Sequence, residues 1–175
     1  MAAPVLAITG PGGVGKTTVA FEVLRRLEAS GTGHALIDTD ELDRLFPPPS
    51  DDPRKTKLTA RNLAAVWSNF RAAGADRLVI VGVMLCLDRE LPYIETAVPD
   101  ADVTVIQLRA TEEDLLERVW RREVGSGGEA QIRRSFYQLR EMDQEPANDA
   151  LIVETSERSV AEVASEIIRR GGWPA

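Results

Sequence analysis

Short apolar runs alternate along the chain with longer stretches in which apolar residues recur every three or four positions. Runs of the first kind predict buried strands, and the periodic stretches predict amphipathic helices. Their alternation predicts an α/β fold of one domain, residues 1–175, with a five-stranded parallel sheet and helices on both faces. The strands are predicted at Val5–Thr9, Ala35–Asp38, Arg77–Val83, Val103–Leu108 and Leu151–Glu154. The helices are predicted at Lys16–Ala29, Leu58–Ala73, Arg89–Ala97, Glu112–Val124, Ala130–Asp143 and Ser159–Arg170.

Two segments interrupt this alternation. Phe46–Pro53 contains four prolines, which lack a backbone N–H and restrict the preceding residue, so an exposed irregular loop is expected. Gly125–Gly128 reads Gly-Ser-Gly-Gly between two charged helices. Its flexibility suits a hinge or the tip of a lid.

Glycines cluster between the first strand and the first helix. Residues 10–17 read Gly-Pro-Gly-Gly-Val-Gly-Lys-Thr, a full match to the phosphate-binding loop G-x-x-x-x-G-K-[ST] of P-loop NTPases in the required strand–loop–helix context. Backbone N–H groups of such a loop converge on phosphates, the lysine reaches the β/γ oxygens and the threonine hydroxyl ligates Mg²⁺. A nucleoside triphosphate is the expected ligand. The predicted contacts are Gly10, Pro11, Gly12, Gly13, Val14, Gly15, Lys16, Thr17 and Thr18.

Composition limits the classes of partner and the cellular compartment that can be expected. The net charge of −7 argues against a nucleic-acid surface, which needs a dense basic face. The single cysteine, Cys86, cannot form an internal disulfide and is expected in the core of a protein from a reducing compartment. No apolar run approaches the length of a membrane span. A soluble, cytoplasmic protein without membrane partners is expected.

Acidic residues follow the second predicted strand rather than the third. The strand around Leu78–Val83 ends without an acid of the kind that holds the metal in switch GTPases and most motor ATPases, and no Asn-Lys-x-Asp guanine motif is present. Asp38 and Asp40 instead lie at the carboxyl end of the second strand, which in a parallel sheet faces the ligand crevice. This position favours a kinase.

The phosphate loop combined with Asp38-Thr39-Asp40 resembles a group of small-molecule kinases that contains shikimate kinase, gluconate kinase, adenylylsulfate kinase and chloramphenicol phosphotransferase. Residues 110–122 are similar to the segment that leads from the fourth strand to the lid of these kinases. Residues 151–164 are similar to their last strand, adenine-side turn and closing helix. The resemblance implies ATP and Mg²⁺ as cofactors and a small-molecule hydroxyl as acceptor.

The resemblance also implies roles for the two aspartates. Asp38 would hold Mg²⁺ through water, beside Thr17, and Asp40 would orient or deprotonate the acceptor hydroxyl. This division suits phosphoryl transfer, which depends on positioning and charge neutralisation. A structural alternative, for Asp40 and also for Asp38, is the N-cap of the short helix that begins there.

The predicted lid, residues 118–134, carries several arginines. Arg118 and Arg122 share one helix face, and the resemblance implies that they contact adenine or phosphate and close over the γ-phosphate. Arg121 lies on the flank, and ion pairs with Glu117 and Glu123 on a solvated face are the alternative for this cluster. The resemblance also places Thr155 beside the nucleotide, and Arg134 and Arg140 near the acceptor or lid.

The acceptor pocket is expected from Asp40 to about residue 70. Arg44 and Arg54 are candidates for an anionic acceptor, and Trp67 is either a stacking surface or a core residue. Gly82 stands alone where shikimate kinases carry three glycines, and Gly125-Ser126-Gly127 replaces the His-Phe of gluconate kinases. These departures argue against shikimate and gluconate.

Three functions stay open. The first is an ATP- and Mg²⁺-dependent kinase of a small-molecule hydroxyl, and the second is a nucleoside or nucleotide kinase with a base in the acceptor pocket. The third is a P-loop ATPase switch, which would need an acid at the third strand or ordered switch loops.

Overall fold

The computed structural model describes residues 2–83, 85, 91–122, 128–144 and 149–174. The strands are β1 (Ala3–Thr9), β2 (His34–Asp38), β3 (Arg77–Val81), β4 (Ala101–Arg109) and β5 (Leu151–Glu154). The helices are α1 (Lys16–Ala29), α2 (Thr56–Ala72), α3 (Leu91–Ala97), α4 (Glu112–Arg122), α5 (Gly128–Gln144) and α6 (Val160–Arg170), and a 3₁₀ turn covers Thr39–Glu41.

The sheet is parallel throughout, in the order β2-β3-β1-β4-β5. The first strand of the chain is therefore central: Val5 pairs with Leu78 of β3 on one side and with Val103 of β4 on the other. Six of the seven residues of β1 are buried, as expected for a strand covered on both faces. The predicted α/β fold with a five-stranded parallel sheet is confirmed.

Helices cover both faces of the sheet. On one face Leu63 and Trp67 of α2 pack with Ile94 of α3. On the other face the apolar sides of α1 and α6 meet in a second core, which includes Leu27 and Ile167. The predicted three-layer arrangement is thus present. The phosphate loop lies at the carboxyl ends of the parallel strands.

Most element boundaries agree with the sequence prediction, and β3 is the main exception. The predicted strand continued to Val83, but β3 ends at Val81. An added Cβ on Gly82 would lie 2.2 Å from the Thr39 hydroxyl, so the chain passes too close to the neighbouring 3₁₀ turn to carry a side chain there. Beyond it the Thr9 hydroxyl donates to the Val83 carbonyl at 2.7 Å and accepts from Leu85 N–H at 3.1 Å. Hydrogen bonds of the Thr9 side chain therefore replace the backbone hydrogen bonds between strands where the chain leaves the sheet.

The proline segment has no helix or strand, as predicted. Phe46 is 91% exposed, whereas Asp52 is 7% exposed because its carboxylate accepts the Leu58 N–H at 2.9 Å near the start of α2. Two other predictions fall partly or wholly outside the described residues: the loop at Gly125–Gly128, of which only Gly128 is described, as the first residue of α5, and the core position of Cys86.

Candidate functional site

The phosphate loop connects β1 to α1 and needs glycine at specific positions. Gly13 and Gly15 have φ of 83° and 101°, values that residues with a Cβ rarely adopt. Gly13 is also close to α4, because an added Cβ would lie 2.7 Å from Val119 Cγ2. The loop is therefore shaped by its own backbone and by contact with α4.

Lys16 lies across this loop. Its Nζ donates to the carbonyls of Gly10 at 2.8 Å and Pro11 at 3.1 Å. Its charge also acts on Asp40, whose pKa it lowers in opposition to burial. The lysine thus connects the loop with the acids at the end of β2.

A cleft of about 930 Å³ opens above the loop. Among the predicted contacts, six line it: Gly12, Gly13, Gly15, Lys16, Thr17 and Thr18. Gly10, Pro11 and Val14 are buried and do not line the cleft. These three residues form the back of the loop, and their contact with nucleotide stays a prediction: the carbonyls of Gly10 and Pro11 accept from Lys16, and Val14 packs in the core.

Asp38 and Asp40 line the same cleft. Asp38 Oδ1 accepts the Asp40 N–H at 3.0 Å and caps the 3₁₀ turn. The capping alternative is wrong for Asp40, which lies inside the turn, and is confirmed for Asp38. Capping uses one oxygen of Asp38, while the Asp40 carboxylate is directed towards Lys16 and the backbone N–H of Val83.

The surroundings of Asp40 shift its acidity. As a residue it is exposed, but its carboxyl group faces the cleft wall, where desolvation raises the pKa above 3.8. The neighbouring Asp38 adds to this rise, while Lys16 and the Val83 N–H oppose it. Desolvation together with a like charge is an arrangement found at carboxylates that accept protons in catalysis.

Arg118 reaches from α4 to the far end of the loop. Its Nη1 donates to the Thr155 hydroxyl at 2.9 Å, and its Nη2 donates to the Thr155 carbonyl at 3.1 Å. Thr155 is 4% exposed and does not line the cleft, whereas Arg118 does. Thr155 therefore orients Arg118, a role not evident from the sequence; a direct contact between Thr155 and nucleotide stays a prediction.

Three other arginines of the predicted lid differ in their surroundings. Arg121 pairs with Glu117 on an exposed helix face, which is the alternative considered from the sequence. The side chain of Arg122 lies outside the described part of the chain, so its predicted role stays a prediction. Arg134 lines the cleft together with Gln131 and Gln138 of the same helix. Their spacing of three and seven residues, read as one helix face, is the signal by which the two glutamines were detectable.

The acceptor side is formed by the segment after Asp40. Arg44 lines the large cleft and pairs with Glu41 at 2.6 Å, both side chains being exposed. Arg54 lines a smaller cavity of about 190 Å³, whose wall includes Asp40 and Tyr93. Asp40 therefore borders both spaces.

Trp67 does not reach either cavity. It is 3% exposed in the core between α2 and the sheet, and Arg71 lies over its ring at 6.0 Å. The prediction of an acceptor contact is corrected: the apolar periodicity of α2 turns this side chain inwards, so the core alternative holds.

The oxygen atoms on the cleft wall suit a hard cation. Mg²⁺ prefers carboxylate, hydroxyl, phosphate and water oxygens, and Thr17 and Asp38 supply the first two kinds. Within the described residues no three His, Cys, Asp or Glu side chains form a metal-binding cluster by themselves. The same part of the chain contains no helix long and apolar enough to cross a membrane.

Sequence comparison finds no matching protein-family model and no matching curated protein. Structural comparison finds many similar chains. The tunicamycin resistance protein of Deinococcus radiodurans is 18% identical, with 98% of this chain and 97% of that chain covered and a TM-score of 0.68. A gluconokinase from Sinorhizobium meliloti 1021 is 18% identical, with 97% and 92% covered and a TM-score of 0.60. The APS kinase of Mycobacterium tuberculosis, in complex with AMPPNP and APS, is 21% identical, with 96% of each chain covered and a TM-score of 0.59.

These alignments extend over nearly the whole of each chain, so they concern the complete layered domain and not the phosphate loop alone. At sequence identities of 18–21% these alignments show a shared fold and nothing further. The chain has the fold of the P-loop small-molecule kinases.

Proposed function

We propose that this protein is an ATP- and Mg²⁺-dependent kinase that transfers the γ-phosphoryl group to a hydroxyl of a small molecule. One observation carries the proposal. Asp38 and Asp40 line the same cleft as Lys16 and Thr17 of the phosphate loop. Two carboxylates beside a phosphate site are the groups that transfer to a hydroxyl needs, one at the metal and one at the nucleophile.

Lys16 and Arg118 are two of the cations that line the cleft. In the proposed reaction Lys16 leaves the carbonyls of Gly10 and Pro11 and binds the β- and γ-phosphate oxygens. Arg118, held by Thr155, neutralises the charge that spreads over the transferring group. Mg²⁺ would be held by Thr17 and, through water, by Asp38, and it supplies charge neutralisation between the β- and γ-phosphates.

Asp40 is the proposed base. The acceptor hydroxyl binds at the cleft wall beside this carboxylate, its oxygen attacks the γ-phosphorus, and the bond from that phosphorus to the ADP oxygen breaks. The hydroxyl proton passes to Asp40 and then to solvent. Desolvation, which raises the pKa of Asp40, makes it a better proton acceptor than a fully hydrated aspartate.

The acceptor is proposed to be a small molecule, since the spaces on either side of Asp40 measure about 930 and 190 Å³. The larger must also hold the triphosphate. Arg44, in the larger space, and Arg54, in the smaller, are proposed to bind an acidic group of the acceptor. The APS kinase is a protein of the same fold whose structure holds AMPPNP and APS together.

The test is ADP release from ATP and Mg²⁺ in the presence of a library of hydroxyl compounds. A kinase releases ADP in proportion to an added acceptor and forms one phosphorylated product per ADP. Asp40→Asn should keep nucleotide affinity and lose transfer, whereas Asp102→Asn, on an exposed position of β4, should retain both. ADP release that no acceptor stimulates, but that a protein partner raises, would refute the proposal in favour of an ATPase switch.

A further inference from the structure

Helix α5, whose first residues fall in the predicted lid, is joined to the phosphate loop by a hydrogen bond. The backbone N–H of Gly12 donates to Gln138 Oε1 at 2.9 Å, across 126 residues of sequence. Gln138 is 9% exposed and lines the cleft with Lys16 and Thr17. A neutral side chain from α5 is thus fixed beside the phosphate-binding groups.

The neighbouring residues hold this helix close to the loop. An added Cβ on Gly12 would lie 2.6 Å from Ser135 Oγ and 2.7 Å from Gln131 Nε2. Ser135 is 1% exposed, and its hydroxyl donates to the Gln131 carbonyl one turn earlier. Met142, further along α5, is fully buried in the core. Gln138 is therefore set between two packed points of its helix.

The hydrogen bond also determines which way the carboxamide is turned. A backbone N–H can only donate, so the atom that faces Gly12 is the oxygen, and the NH₂ group points away from the loop backbone. Within the described residues this Nε2 has no hydrogen-bond partner and is not a buried, unsatisfied atom. Because Gln138 lines the cleft, its two N–H donors are available to a bound anion.

We propose that Gln138 Nε2 donates to the γ-phosphate and distinguishes ATP from ADP, while its Oε1 holds Gly12. The inference rests on the proposed function, because it takes a nucleoside triphosphate as the ligand of the loop. A carboxamide suits this role because it adds a donor without adding charge, and a donor to a phosphate oxygen forms one of the stronger hydrogen bonds. ADP has no group at that place, so its binding depends on the rest of the loop.

The test compares two nucleotides in one variant. Gln138→Glu retains an oxygen for the Gly12 N–H but replaces the donor with a negative charge. Calorimetric titration with Mg²⁺ and a non-hydrolysable ATP analogue should show affinity lowered about tenfold or more. Affinity for ADP should change by no more than about threefold. Gln144→Glu is the matched control, since Gln144 is exposed on the same helix outside the cleft, and it should leave both affinities unchanged.

The outcomes separate this inference from the proposed function. Equal weakening of both nucleotides by Gln138→Glu, or no weakening of either, overturns the γ-phosphate contact whatever the acceptor assay gives. A selective loss of affinity for the ATP analogue supports the γ-phosphate contact even if no hydroxyl compound stimulates ADP release. That second result would count only against the proposed kinase activity. Gln138→Met, uncharged and of similar length, repeats the comparison, because the charge added by Gln138→Glu would by itself repel a triphosphate more than a diphosphate. Selective weakening of the ATP analogue in Gln138→Met as well supports the donor, whereas selectivity confined to Gln138→Glu overturns it.

Discussion

Replacing Thr155 with valine tests how the lid arginine is oriented. Thr155 Oγ1 accepts from Arg118 Nη1 at 2.9 Å and lies 3.0 Å from the Arg109 carbonyl and 3.4 Å from the Val14 carbonyl. Valine keeps the shape and loses these bonds. The Arg109 carbonyl still accepts the Thr155 N–H at 2.8 Å, so the main loss is the bond to the guanidinium.

The magnitude follows from these contacts. A hydrogen bond to a charged group contributes about 1.5–3 kcal/mol when it is shielded from water. The Arg118 side chain is 30% exposed, and its Nη2 keeps the Thr155 carbonyl, so a smaller loss of about 1–2 kcal/mol in the free energy of unfolding is expected. Affinity for a non-hydrolysable ATP analogue should also fall, because the guanidinium loses one of the bonds that fix it beside the loop and keeps those to the carbonyls of Thr155 and Val14.

The assay is a double-mutant cycle in urea unfolding, with Thr155→Val, Arg118→Gln and the pair. The cycle isolates the interaction between the two side chains, and a coupling free energy of about 1 kcal/mol is expected. Thr104→Val, a half-buried position on β4, is the matched control and should show no coupling to Arg118. Additive effects of Thr155→Val and Arg118→Gln would refute the orienting role of Thr155.

Three further changes test other parts of the molecule. Asp38→Asn should lower kcat by orders of magnitude with thermal stability retained, and near-normal kcat at saturating Mg²⁺ would exclude Asp38 from the metal site. Since the pKa of Asp40 in the free protein is raised above 3.8, its basic form is lost as pH falls through that raised value; the acidic limb of the kcat/KM profile, which reports the free enzyme, should therefore lie above pH 3.8, and a limb at or below it would exclude Asp40 as the base. Ser159→Ala removes the reciprocal capping box with Glu162 and should cost about 1 kcal/mol, read as a drop of about 2–4 °C in Tm; an unchanged Tm would show that the cap adds no stability.

Local patterns predicted the parts of the fold that local interactions determine. The bounds of α1 and β5 agree with the sequence prediction, because an apolar period and adjacent turn residues mark their ends. The end of β3 was predicted wrongly, because it depends on the approach to Gly82 of Thr39, in the 3₁₀ turn that follows β2. Contacts of this kind appear only when the strand order is known.

The site divides in the same way. The phosphate loop is a continuous motif, and the acids after β2 follow from the rule that ligands bind at the carboxyl ends of parallel strands. The positions of Trp67 and Gln138 could be assigned only once the orientation of their helices was known. Trp67 faces the core and Gln138 faces the cleft. A helical period indicates which residues share a face, but packing decides what that face meets.

The central place of β1 has a consequence for biosynthesis. This strand is synthesised before its neighbours β3 and β4 and before the helix α6 that packs beside α1. Pairing over such sequence separations is slow, because the loop entropy is lost before the contacts form. A nascent chain that already carries the complete phosphate-loop sequence should therefore not retain nucleotide, and should gain that ability only when the distant strands have joined the sheet.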